Sequence, residues 1–169
     1  MAADKTIHGW PVIFMASDPK LKLFTIPGTK RKIKLHKELG PYLVAFAAEY
    51  HQLIAPIDTG TLDDWGWAPV RKGRASDQIS DHCAGVAMDL NATGPDGRQG
   101  HGLTWWLKNP VKYARLKRLL KKYRLLEAGI TYTRFLDPMH YTFKHGVGTA
   151  AVLAEIKKLG IGPNGAVKA

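Results

Sequence analysis

Leu21-Lys22-Leu23-Phe24-Thr25-Ile26-Pro27-Gly28-Thr29-Lys30-Arg31-Lys32-Ile33-Lys34-Leu35 is the stretch on which the architecture turns. Leu21 to Ile26 reads as a strand and Pro27-Gly28 is a turn dipeptide. In Lys30 to Leu35, Ile33 and Leu35 alternate with Lys32 and Lys34, as a half-buried partner strand requires. The stretch therefore predicts an antiparallel hairpin with one basic face.

A helix follows directly, from Pro41 to Ala55. Leu39, Leu43, Phe46, Ala47, Tyr50, Leu53 and Ile54 recur at three-and-four spacing and predict one buried stripe. Pro41 suits the first turn and Pro56 stops the pattern. From Asp58 to His101 turn formers dominate, with short strands expected between them. Asn109-Pro110 opens a second helix, expected to run to about Glu127, with Leu116, Leu119, Leu120, Tyr123 and Leu126 inward and Gly129 as its stop. Its outer face is basic: Lys112, Arg115, Lys117, Arg118, Lys121, Lys122 and Arg124. Ile130 to Phe135 and Met139 to Phe143 read as strands, and Thr149 to Leu159 as a last helix closed by Gly160. Strands and helices do not alternate regularly, which argues against a parallel, doubly wound sheet. The expected class is α+β, with helices packed on a small, mostly antiparallel sheet.

A chain of 169 residues with 45% hydrophobic content fits one globular domain. We place it at residues 1–160, with 161–169 as a flexible tail. The single Cys83 excludes an internal disulfide and a cysteine-cluster metal site. No stretch is long enough to span a bilayer. Trp10 to Ala16 contains a proline and lacks a small-residue cleavage signature, so synthesis in the cytoplasm without a signal peptide is expected. The net charge of +11 favours polyanionic partners: nucleic acid, an anionic membrane or an anionic cell wall.

Two segments carry the chemistry. One is Ser80-Asp81-His82-Cys83-Ala84-Gly85-Val86-Ala87-Met88-Asp89-Leu90, the other Asp137-Pro138-Met139-His140-Tyr141. On a strand from Val86 to Leu90, Val86, Met88 and Leu90 share one face, and Ala87 and Asp89 the other. His82 is an odd number of residues from Asp89, so an unbroken strand would part them; Gly85 permits a bend that brings them together. Met139, Tyr141 and Phe143 share an apolar face, which leaves His140 on the opposite one. Two His and a carboxylate are a common zinc set, with a fourth position for water, and a further carboxylate would serve as base. The plainer reading is that these are surface positions or partners in a buried hydrogen bond.

Ser80 to Asp89 resembles the Ser-x-His-x-x-Gly-x-Ala-x-Asp motif of the D-alanyl-D-alanine carboxypeptidase (VanY/VanX-like) family of zinc peptidases. Asp137 to His140 is similar to that family's closing Glu/Asp-x-x-His motif, in the Asp form of phage L-alanyl-D-glutamate endolysin peptidases. The likeness runs from about Ile26 to Phe143. It implies a Hedgehog/DD-peptidase-like fold, Zn2+ on His82, Asp89 and His140, and Asp137 as general base. It also implies an arginine upstream of the first motif that steadies the substrate carbonyl or oxyanion; Arg71 and Arg74 both lie in the right stretch, with a slight preference for Arg71. Ser80 receives no catalytic role. Cys83 beside His82 departs from the pattern and reads as a packed thiol. His8, His36 and His145 sit in solvent-facing contexts, His51 within the first helix, and His101 in a loop. Trp65, Trp67, Trp105 and Trp106 divide between core and groove.

The resemblance implies a peptidoglycan stem peptide as substrate. A phage endolysin-type endopeptidase, acting at the cell wall after holin-type release, is preferred to a D-Ala-D-Ala carboxypeptidase. The basic surface would suit an anionic wall, and a monomer is expected. The rival from another class is a basic nucleic-acid-binding protein, but it has no recognised nucleic-acid motif and leaves both segments unexplained. No stable nucleic-acid partner is therefore expected.

Overall fold

The computed structural model describes residues 5–57, 63–70, 79–92, 102–133 and 136–168. Strands β1 (Leu21–Thr25) and β2 (Lys32–His36) form the expected antiparallel hairpin, with Phe24 opposite Ile33. Phe24, Ile33 and Leu35 are buried, while Lys32 is exposed. Gly28, with φ +82°, takes the left-handed position the turn needs.

The buried face of the hairpin lies on helix α1 (Gly40–Leu53), whose first turn contains Pro41. A Cβ on Gly40 would come within 2.5 Å of the Phe24 ring, so glycine allows this close approach. Tyr42 to Ala47 are fully buried. The helix is thus covered on more than the single stripe its periodicity predicts, and such a helix belongs at the centre of a core. Leu53, expected in the stripe, is 43% exposed because it lies in the last turn, beyond the packed elements.

A second sheet has the order β3–β5–β4, every pair antiparallel: β3 is Ala87–Asp89, β4 Leu126–Ala128 and β5 His140–Phe143. Tyr141 and Phe143 of the central strand pack on α1, with ring centroids 5.0 Å from Phe46 and 5.8 Å from Tyr42. Residues directly opposite across a sheet share a face. Met88 therefore joins Tyr141 in the core, and Asp89, His140, Thr142 and Glu127 fall together on the other side.

Helix α2 (Leu103–Lys108) was not foreseen from the sequence, and α3 (Pro110–Lys122) ends five residues before the expected Glu127. The Tyr123 ring is buried edge-on against Tyr42 and Phe46, at 5.3 and 5.6 Å, and its hydroxyl donates to Glu49 at 2.7 Å. This anchor turns the chain, so Leu126, Glu127 and Ala128 join β5 rather than continuing the helix. Gly129–Thr131 is a single 3-10 turn, not the start of a strand from Ile130, and 134–135 lie outside the described residues. Helix α4 (Thr149–Lys158) closes near Gly160, whose φ is +64°. In the segment after it, Ile161 is buried and bridges to Val167, and Gly165 lies where a Cβ would meet Val44 at 2.6 Å. The described residues form an α+β arrangement with small antiparallel sheets, and none of their helices is long and apolar enough to cross a membrane.

Candidate metal centre

The bend expected at Gly85 is a 3-10 turn, Asp81–Ala84. The Ser80 side chain accepts from the His82 N–H at 3.4 Å, a capping contact at the turn's start. Gly85 closes the turn with φ +68°, and a Cβ there would come within 2.7 Å of the His36 backbone nitrogen. The chain then enters β3, which ends at Asp89. Opposite Asp89 in register stands His140, the first residue of β5. Turn and strand pairing together bring residues 7, 51 and 58 positions apart to one point.

His82 Nε2 lies 3.2 Å from Asp89 Oδ1, His140 Nδ1 lies 3.1 Å from that oxygen, and the two nitrogens are 3.1 Å apart. A tetrahedral ion bound at ~2.0–2.1 Å separates its ligand atoms by roughly 3.3 Å. The triangle fits that spacing. The other nitrogen of His82 faces the Gly66 carbonyl at 2.6 Å, so Nδ1–H donates there and the Nε2 lone pair is left for the centre. Gly66 itself is held against β2, where a Cβ would meet the Lys34 carbonyl at 2.2 Å. Asp89 is fixed by a bridge to Trp65, with backbone bonds of 2.8 and 3.0 Å. Among the described residues, His82, Asp89 and His140 form a group that could hold a metal ion.

Burial by itself would raise the pKa of Asp89, but its close contacts with the His140 and His82 imidazoles outweigh it and hold the carboxyl below its usual range. Burial works against a charged His82, and the Asp89 contact overcomes it and raises that imidazole.

Asp137 lines the same cleft as the triad. Its N–H donates to the Gly129 carbonyl at 3.1 Å and its carbonyl accepts from His140 N–H at 2.9 Å. A Cβ on Gly129 would come within 2.1 Å of the Asp137 carbonyl, so glycine lets the loop lie flat against the end of β4. Arg71 and Arg74 lie outside the described residues, as does His101. Cys83 is 4% exposed and does not belong to the triad.

His8, expected to face solvent, is instead part of the support. Its Nδ1 pairs with Asp81 Oδ2 and its Nε2 lies 3.4 Å from Glu127 Oε1. Thr142 Oγ1 donates to Asp81 from 3.2 Å. The hydrogen bond to Asp81, with that to Glu127, pushes the His8 pKa up to about 10 against the effect of burial. This network ties the N-terminal segment, the His82 turn and two strands together. His8 and Asp81 are 73 positions apart, so no local pattern reveals the network.

The cleft over the triad has a volume of about 1480 Å³, and Trp65, Trp67, Tyr132 and Leu136 are among its walls. Trp65 is 49% exposed, whereas Trp106 is core at 1%. Trp67 is pinned by Nε1–H to the Ile13 carbonyl at 3.0 Å. Comparison with protein-family models, curated proteins and solved structures finds no match to this chain.

Proposed function

We propose that this chain is a zinc peptidase that hydrolyses amide bonds in peptidoglycan stem peptides, with the Hedgehog/DD-peptidase-like fold its motifs imply. The observation that carries the reading is the triangle of His82, Asp89 and His140, at 3.1–3.2 Å, in a cleft that Asp137 also lines. When bound, zinc would supply Lewis acidity and water activation near neutral pH. Asp137 takes the proton of the attacking water and passes it to the leaving amine. The Gly66 carbonyl keeps His82 in the tautomer the centre needs. The resemblance implies that Arg71 or Arg74 stabilises the developing oxyanion. A cleft of about 1480 Å³ is larger than the ~300–1,000 Å³ of ordinary small-ligand sites. By resemblance, an endopeptidase of the phage endolysin type is preferred to a D-Ala-D-Ala carboxypeptidase.

Zinc content and cleavage of purified peptidoglycan test this reading together. The wild-type chain should hold one zinc and release stem-peptide fragments identifiable by mass. His140→Ala should lose the metal. Asp137→Asn should keep the metal and lose turnover by ~100- to 10,000-fold, the usual contribution of a general base. Stoichiometric zinc in His140→Ala, or full activity in Asp137→Asn, would overturn the assignment.

A further inference from the structure

Away from the cleft, α2 and α3 carry two features that the proposed peptidase chemistry does not use. Leu107 is 72% exposed, Val111 63% and Leu103 41%, three aliphatic side chains within nine residues on either side of Asn109. From Lys108 to Arg124 the sequence then holds eight Lys and Arg and no Asp or Glu. Lys122 and Arg124 are balanced by Glu49 and Glu155, each at 2.6 Å. Lys108, Arg115, Lys117, Arg118 and Lys121 remain exposed on the same helices. Beneath them, Trp106, Leu116 and Leu119 are buried and fasten the pair to the core.

We infer that this α2–α3 face docks on an anionic lipid bilayer. An exposed aliphatic cluster gains nothing from a phosphodiester backbone or a polyanionic polymer, but it gains from the acyl boundary of a membrane. The exposed lysines and arginines of the same two helices complement anionic headgroups, and their long stems reach the headgroup level while the aliphatic tips insert. A second copy of the chain would meet the face with the same positive sign and be repelled. The helices are therefore an interfacial anchor that lies on the bilayer. The inference needs neither the metal nor hydrolysis, so it stands or falls apart from the peptidase reading.

Co-sedimentation with vesicles tests it. The full chain should pellet with phosphatidylcholine vesicles that contain phosphatidylglycerol, remain in solution with phosphatidylcholine alone, and be released by salt. Leu107→Ser with Val111→Ser leaves every charge in place and should weaken vesicle binding about tenfold. Arg118→Glu with Lys121→Glu should weaken it comparably and reduce the salt dependence. Both pairs are exposed, so unchanged thermal melts should accompany the losses; Leu103→Ser gives a third, independent loss. Failure of the wild-type chain to bind anionic vesicles at low salt would overturn the inference. So would wild-type binding by the serine pair, or tighter binding to duplex DNA than to vesicles at equal ionic strength.

Discussion

His8 contributes through charge, and its pH dependence follows from the direction of its shift. Its pKa is raised from the ordinary 6.5 to about 10, chiefly by Asp81, so the folded state holds this proton more tightly than the unfolded chain does. The stabilisation is complete below 6.5 and is lost as pH rises through 10. Asp81 shifts the other way, with the His8 hydrogen bond overcoming the effect of burial, so its share is lost as pH falls below the carboxylate range. Replacing His8 by Gln should cost about 2 kcal/mol at pH 6, as expected for a hydrogen bond between charged partners. Thermal melts should show that difference shrinking steadily toward pH 10. A constant difference across that range would show that His8 acts by packing alone. No feature around His8 in the sequence foretold its role, because both its partners are distant. For His140 the reverse holds: the alternation of Met139, Tyr141 and Phe143 already placed it on the face opposite the core.

Among the elements, the turn Asp81–Ala84 has the largest effect on the site, because it converts a strand-like separation of His82 and Asp89 into a contact of 3.2 Å. Gly85 makes that possible twice over, by its φ of +68° and by the space a Cβ would take from His36 N at 2.7 Å. Gly85→Ala should therefore destabilise the fold by ~1–2 kcal/mol for the left-handed conformation alone, and by more for the clash. If the triad binds zinc as proposed, the substitution should also lower zinc content, since the turn that carries His82 would shift. Normal zinc content with only a lowered melting temperature would separate the turn from the centre. The hairpin β1–β2, helix α1 and helix α4 were legible from alternation, three-and-four spacing and their Pro and Gly boundaries. The end of α3 was not. Its apolar period continues through Leu126, and the anchor that breaks it, Tyr123 between Tyr42 and Phe46, is made by another helix.

Across the whole molecule, the net charge of +11 makes long-range attraction to anionic surfaces a property of the chain rather than of one site. Lys32 and Lys34 of the hairpin border the cleft itself. If the substrate is a wall polymer, lysis of intact walls should fall steeply with added salt, because exposed charges are screened over ~8–10 Å near physiological ionic strength. Cleavage of a small soluble muropeptide should change far less, and equal salt dependence on both substrates would remove charge from wall engagement. The sequence by itself determined the donor types, the alternation that puts Asp89 and His140 opposite the apolar faces of their strands, and the α+β class. Those properties follow from residue chemistry and from local periods of two and 3.6 residues. Only the tertiary structure decided that β3 and β5 pair in the register that sets Asp89 beside His140, that β4 completes the sheet, and that His8 and Gly66 hold the His82 turn in place. Each of those depends on contacts between residues far apart in the chain, and packing selects among them where local propensity cannot.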